Sequence, residues 1–523
     1  MSSHSNRPAY FVCREGVLND PDLPSTEVPI NGSPESAHPR RSTEPRFKFG
    51  RMFDVPKVNN GKKHHDDVVA ELLHLAEIVN KNADDTAAGD SDIQAGYTYL
   101  GQFIAHEITF DKTEEPLEGE NPGFRSPQID LDSLYGRGPD NERRFYQDAA
   151  RLKVGETIAG TEVRKTFFND LPREGFGSKG IGKALIPDPR NDENLAVAQT
   201  HLAFIKFHNK VVDALYLSGT PTEQLFETAR KDVAQHFQYI ILKDFLPKLL
   251  HERGSECLKT PHKLNFFKED PEFGLCMPLE FSVAAFRFGH SMVRDKYEWN
   301  FIQNSRFDRP ASLNSLFRFT GFSGDLRGKP RLESDWIIDW RRFFDLTEVN
   351  FPDDNRRSNK ARKIDASFSL RLEKIQGFPH VTRDSAHQSI VARNLLRGHA
   401  CGLPSGEDVA ELIGLEKDFR LTPDKIAIET PLLKGHTPLW YYILKEAEHN
   451  NGKLGPVASF IVAETLVGLI KESPNSILNE ENWKPKYGRR LAEGKFEMAD
   501  LLAFAEVVDP IGDHMGPPLG PVF

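Results

Sequence analysis

The sequence predicts a mainly α-helical fold: a single large helical domain with long irregular loops and little β-structure. Three observations predict it. From about residue 67 onward apolar residues recur at spacings of three and four; stretches that alternate every second residue are scarce; and the connections at 112–140, 170–192 and 300–365 are loaded with Pro, Gly and Asp. A chain of 523 residues has room for a large buried core. Length alone would allow about three domains, but no internal repeat is visible, so the division expected is an extended, partly ordered arm over 1–65 and one domain over 66–523.

Taken in order, the arm is rich in Pro, Ser, Arg and Asn and has little periodicity, so little chemistry is expected there. It also lacks the apolar run of a secretory signal. Helices then follow wherever the apolar stripe repeats: Val68 to Ala76, 97–110, 195–217, and 231–250 with Phe237, Ile240, Ile241 and Phe245 on one face. Further helices are expected at 281–295, 386–399, 407–414, 436–448 and 455–472. Irregular connections as long as those between them are uncommon in compact domains and tend to be functional or ion-bound.

Composition narrows the function classes. With 38% hydrophobic and 28% charged residues the chain is neither disordered nor membrane-like, and no run of about 18 apolar residues could span a bilayer. A net charge of -10 disfavours general attraction to nucleic acid or anionic lipid. The basic cluster from Arg356 and Arg357 through Lys360, Arg362 and Lys363 reads as a solvated loop. Cys13, Cys257, Cys276 and Cys401 show no paired metal spacing and read as free thiols.

Two histidines stand out. His106 shares a helix face with Gln102 and Tyr99, and His290 has Arg287 three residues before it. A lone histidine on an apolar face is more often a satisfied core residue than a ligand, and Arg287 could serve in an ordinary ion pair. Two such sites gripping a cofactor such as haem from opposite sides is the sharper reading.

Gly101-Gln102-Phe103-Ile104-Ala105-His106, Asp130-Leu131-Asp132-Ser133-Leu134-Tyr135-Gly136, Asp188-Pro189-Arg190-Asn191-Asp192-Glu193, Phe286-Arg287-Phe288-Gly289-His290 and Asn394-Leu395-Leu396-Arg397-Gly398 occur in one order along the chain. Together they resemble the animal-type haem peroxidases of the peroxidase-cyclooxygenase superfamily, in a microbial-type form, over about residues 95–475. The resemblance implies a haem b enzyme with His106 as the distal histidine, Gln102 as its neighbour and Arg190 as the distal arginine. It makes His290 the proximal iron ligand, Asn394 the acceptor of its other N–H, and Arg287 and Arg397 clamps for the haem propionates. The implied reaction reduces hydrogen peroxide through a ferryl state and oxidises small organic donors or halides.

The resemblance also implies a calcium ion held by Glu107, Ser126, the carbonyl of Gln128, Asp130 and Asp132, although Glu107 stands where animal members have an aspartate. The alternative is a solvated acidic turn. Animal members esterify haem through two carboxylates. Here the first position is Ala105, which cannot form an ester, and Glu193 matches the second, so at most one ester link is expected. Glu193 equally suits the first turn of a helix. The sulfonium-forming methionine of some relatives is replaced by Asn194, which weakens the expectation of strong halide oxidation. A fatty-acid dioxygenase of the same superfamily would need a radical tyrosine where Arg287 stands, and a non-catalytic haem-binding protein would need neither His106 nor Arg190.

Overall fold

The computed structural model describes residues 49–53, 61–81, 89–109, 127–175, 182–269, 274–351, 358–368, 389–426, 428 and 431–512. Most of the arm, Cys13, Arg356, Arg357 and Ser126 therefore lie outside the described residues. The centre of the fold is the Leu195–Leu217 helix, which starts where Asn194 accepts a side-chain hydrogen bond from the Val197 N–H. Every residue from Leu195 to Ile205 is buried, so the first half of this helix is covered on all sides. The Gly96–Ile108 and Leu225–Ile240 helices pack against it. Phe103, Phe204 and Phe237, one from each, close the junction: Phe103 stacks on Phe204 at 4.7 Å between centroids, and Phe237 meets both edge-on. His106 lies one turn beyond Phe103.

A second layer consists of the Ile390–Ala400, Leu439–Glu448 and Pro456–Lys471 helices. Pro456 begins the last of these, where a missing N–H costs nothing. Its free amides at Val457 and Ala458 are taken at 3.0 and 3.3 Å by the carboxylate of Glu446 from the neighbouring helix. Gly455 leaves no room for a β-carbon beside that carboxylate. The helix expected at 436–448 starts only at Leu439, because Pro438 is extended.

Three differences from the sequence expectation bear on the site. The stretch 231–250 is helical but passes through a π turn at Ile241–Phe245. Residues 281–295 are not one α-helix: Glu280–Ala284 is a π turn, Ala284 leaves helical geometry at φ -127° and ψ -69°, and Ala285–His290 winds as a 3₁₀ helix. The change of winding brings Phe281 and Phe286, five residues apart, into a stack at 4.6 Å, which regular α-geometry would splay around the helix. The first helix begins at Gly61, so the expected boundary at residue 65 falls inside it.

Among the described residues strands are confined to three two-stranded pairs. Phe49–Gly50 runs parallel to Met277–Pro278, Asp90–Gln94 antiparallel to Lys360–Arg362 across a bulge, and Lys296–Tyr297 antiparallel to Ala311–Ser312. The segment 300–351 is irregular, yet buried side chains satisfy its backbone. Asn300 donates to the Asp335 and Ile337 carbonyls, and the Asp335 carboxylate accepts from the Thr161, Glu162 and Val163 amides. Among the described residues no helix is long and apolar enough to cross a membrane. Cys257 and Cys401 are buried free thiols, and Cys276 is buried as well.

Candidate active site

His106, Gln102, Arg190 and Glu193 come together where the Gly96–Ile108 helix meets the turn that precedes Leu195. His106 is buried, and its Nδ1 lies 2.9 Å from the Asn191 side-chain oxygen. The Asn191 amide nitrogen meets Nδ1 of His201 at 3.0 Å, which leaves the oxygen to accept from His106. That contact puts the imidazole proton on Nδ1 and a lone pair on Nε2. Nε2 is 3.5 Å from the Glu193 carboxylate, which also accepts from the Gln102 amide. Asn194, at the expected sulfonium position, donates to the Gln102 oxygen at 2.8 Å.

Arg190 is held by the buried carboxylate of Asp188 at 2.8 Å and donates at 2.7 Å to the main-chain oxygen of His106. Behind this turn Arg173 bridges Asp192 at 2.7 Å and Asp170 at 3.0 Å, with all three side chains only 1% exposed. Asp192 also accepts from the Gly321 amide at 2.8 Å. Two carboxylates and one guanidinium thus clamp the stretch that carries Arg190 and Glu193.

On the second side, Arg287 and His290 sit on the 3₁₀ turn, where residues three apart eclipse. The shared face inferred from spacing therefore holds although the α-helix does not. Buried Asn394 joins both: its oxygen accepts from Arg287 at 3.1 Å and its nitrogen faces His290 Nδ1 at 3.2 Å. The contact expected between Asn394 and His290 is present with the opposite sense. Arginine can only donate, so it claims the amide oxygen and turns the amide nitrogen toward the ring. Arg397 is one turn further along the helix of Asn394. Its guanidinium, with those of Arg51 and Arg287, works against burial at Cys401, whose thiol is still pushed up to about 11.

The two sides are adjacent. The Gly96–Ile108 helix packs on the Ala285–His290 turn. Gly101 admits the Phe245 ring, which a β-carbon there would approach to 3.2 Å, and Phe245 in turn meets Phe286 edge-on at 6.3 Å. Tyr99, on the same helix, makes a 2.7 Å hydroxyl contact with Tyr297 of the Lys296–Tyr297 strand. Within otherwise buried stretches Gly101, Gln102, Ala105, Glu193, Phe286, Arg287, Gly289, His290 and Arg397 are all half-buried, and a β-carbon on Gly289 would meet nothing within 4 Å. An open strip lined by an imidazole for iron and by guanidiniums for carboxylates fits haem.

The acidic loop fits calcium less well. Glu107 is buried and its carboxylate accepts from the Asp132 and Ser133 amides at 3.0 and 2.9 Å. Asp130 and Asp132 face Arg230 at 3.8 and 3.3 Å, and the Gln128 side chain reaches the Glu472 carbonyl. Among the described residues no group of three or more His, Cys, Asp or Glu side chains is placed to hold a metal.

Sequence reasoning passed over Asn191, Arg173 and Arg51. Asn191 lay inside a quoted motif, but its link to His106 spans 85 positions. Arg51, in the stretch expected to carry little chemistry, donates to the Cys401 and Gly402 carbonyls at 2.6 and 2.8 Å and so closes the helix of Asn394. Its neighbours Met52 and Phe53 donate main-chain N–H groups to the buried Glu280 carboxylate.

Comparison with known proteins gives the family and the fold. The family model "Animal haem peroxidase" matches residues 119–418. A peroxidase-like protein of Margaritifera margaritifera is 24% identical over 341 residues, which cover 52% of this chain and 43% of that one. A human peroxidasin homologue is 31% identical over 175 residues, 32% of this chain and 11% of that one. The chain thus matches less than half the length of these curated relatives. Among solved structures, peroxidase A of Dictyostelium discoideum superposes with a TM-score of 0.54 at 15% identity, over 90% of this chain and 94% of that one, which speaks for a shared fold. The chain belongs to the animal haem peroxidase family.

Proposed function

We propose that this protein is a haem-dependent peroxidase that reduces hydrogen peroxide with electrons from small organic donors. The observation that carries the reading is the pairing of His106, its tautomer fixed by Asn191, with the His290–Asn394–Arg287 set across the half-buried strip. Haem, when bound, supplies the iron at which the peroxide O–O bond is broken. The chain's own residues do the rest. His290 would hold the iron. Arg287 and Arg397 would hold the propionates, and Arg287, once drawn to a carboxylate, would free the Asn394 oxygen to accept from His290 Nδ1.

On the other side the Nε2 lone pair of His106 is the base that takes a proton from hydrogen peroxide and returns it to the departing oxygen. Arg190, held by Asp188 and donating to the main-chain oxygen of His106, would lend positive charge on this side. Glu193 is the one carboxylate suited to an ester link with haem, and its contact with Gln102 holds it on the strip. The position a dioxygenase would give to a radical tyrosine is Arg287, which is committed to Asn394.

The test is direct. Purified protein loaded with haem should show a Soret band and oxidise a phenolic dye only when peroxide is present. A haem-loaded but inert protein would refute the peroxidase reading. Part of the haem should resist acid-acetone extraction, and complete extraction would remove the Glu193 ester without touching the rest.

A further inference from the structure

A second feature lies away from the two histidines. A cleft of about 420 Å³, within the range of small-molecule sites, opens beside Trp336 and is walled by Arg309, Arg327, Lys329, Glu162 and Glu333. Trp336 is stacked on Phe319 with centroids 3.8 Å apart. Two of the three acids in the cleft are committed, while Glu333 makes no ion pair among the described residues. Asp335 serves three main-chain amides, and Glu162 pairs with Arg309 at 3.8 Å. Among the described residues no carboxylate pairs with Arg327 or Lys329, both of which are exposed. Arg327 is presented by three successive left-handed residues, Leu326 at φ 48°, Arg327 at 55° and Gly328 at 73°, a backbone form that costs energy at the first two.

From Trp336 a line of aromatic groups leads inward, joined at its first step through the Trp336 main chain and ring to ring from Trp299 onward. The Trp299 indole N–H donates to the Trp336 carbonyl at 2.9 Å. Trp299 meets Phe343 edge-on at 5.4 Å, Phe343 stacks on Tyr297 at 5.8 Å and 18°, and Tyr297 lies 5.9 Å from Tyr99. Tyr99 is on the His106 helix, one turn before Gln102 and two before His106. The four side chains inward of the cleft, Trp299, Phe343, Tyr297 and Tyr99, and Trp336 itself are buried.

We infer that this cleft binds an aromatic anion as electron donor, and that Trp336, Trp299, Tyr297 and Tyr99 carry its electron to the haem side of the His106 helix. The inference rests on the peroxidase reading and names its donor site. Each donor molecule gives up one electron. Two donors and two protons from solvent turn one hydrogen peroxide into two waters, and the rings between are oxidised and re-reduced with no net change. Burial pushes the Tyr297 hydroxyl up to about 12 and that of Tyr99 well above its usual value, so both phenols are protonated at rest. The unpaired cations select the donor's charge, and Trp336 supplies the oxidisable ring against which it rests.

The test uses the haem-loaded protein and the aromatic disulfonate ABTS as probe. Without peroxide, titration should show saturable ABTS binding that weakens about tenfold in Arg327→Ala/Lys329→Ala and falls with salt. With peroxide and no donor, electron paramagnetic resonance of frozen samples should show a tryptophan radical that is lost in Trp336→Phe. ABTS turnover in that variant should drop about tenfold. The two cation replacements lie on the surface, so their result does not depend on refolding around a new core side chain. A Soret band indifferent to peroxide in the unmodified protein would overturn the peroxidase reading. A responsive Soret band together with unchanged ABTS binding in the double variant, or with ABTS oxidised by Trp336→Phe at the original rate, would overturn the donor route alone.

Discussion

Replacing Arg173 by Met tests how the turn bearing Arg190 and Glu193 is held. The guanidinium reaches Asp192 at 2.7 and 3.0 Å, Asp170 at 3.0 Å and the Gly182 carbonyl at 2.9 Å, in a setting where all three charged side chains are 1% exposed. Met fills a similar volume, so the change removes charge and hydrogen bonds more than packing. It strands two buried carboxylates, each left with main-chain donors, Gly321 for Asp192 and Leu332 for Asp170. Breaking a buried pair costs about 3–5 kcal/mol. Neutralising one ordinary carboxyl at pH 7 costs about 4 kcal/mol, which sets a ceiling of about 8 kcal/mol for two. We expect a loss of about 4 kcal/mol at pH 7 in urea unfolding followed by tryptophan fluorescence. The sign of the pH effect is a second check. In the variant the stranded carboxyls have folded pKa values above their unfolded ones, so the folded state binds the extra protons and stability falls as pH rises through that window. Acidification from pH 7 should therefore shrink the deficit, by at most about 1.4 kcal/mol per pH unit for each carboxyl. A loss below about 1 kcal/mol at pH 7, or a deficit that grows on acidification, would refute the account.

Other outcomes follow from the same geometry. His290→Ala should lose haem, while His106→Ala should keep it and react slowly with peroxide; Soret titration and stopped-flow mixing tell these apart, and the reverse pattern would exchange the two roles. His208 is buried between the Tyr135 hydroxyl and the Ala150 carbonyl, and burial lowers it to about 4. The unfolded chain therefore takes up a proton first as pH falls below about 6.5, and stability drains by up to about 3.4 kcal/mol down to pH 4. His208→Gln should flatten that acid limb by about 1.4 kcal/mol per pH unit, read from urea midpoints. Arg230→Met should open the acidic loop to calcium, so that added calcium raises the melting temperature of the variant and leaves the unmodified protein unmoved.

The parts of the fold that were legible in the sequence are those in which one element buries one periodic face. The 195–217 helix was read to the residue, and 455–472 to within one position at each end, because their apolar content is continuous and their starts carry Asn194 and Pro456. The stretch at 281–295 failed for a physical reason. Apolar spacing reports that a chain coils but not how tightly, and the π and 3₁₀ windings here are set by the Phe281–Phe286 stack and by Glu280 holding the residue 49–53 segment. Most site residues were reached through resemblance, with spacing as support. What stayed hidden was the partner of each: Asn191 for His106, Arg173 for Asp192 and Arg230 for the acidic loop. Such partners are fixed by distance in space across tens to hundreds of positions, and no local pattern announces them.

Those hidden partners also determine the electrical state of the site. An amide can face either way and an imidazole can carry its proton on either nitrogen, so neither has a definite role until a group of fixed sense adjoins it. Here such groups stand at the ends of each chain of contacts. The Val197 N–H can only donate, so it takes the Asn194 oxygen, Asn194 must donate to Gln102, and Gln102 must donate to Glu193. Every bond in this series points from the start of the central helix toward the Glu193 carboxylate beside Nε2 of His106. Arg287 plays the same part for Asn394 on the other side. The sense of the Gln102 and Asn394 amides thus depends on a main-chain amide and a guanidinium, which is why substitutions at Asn194 or Arg287 should disturb the surroundings of Glu193 and His290.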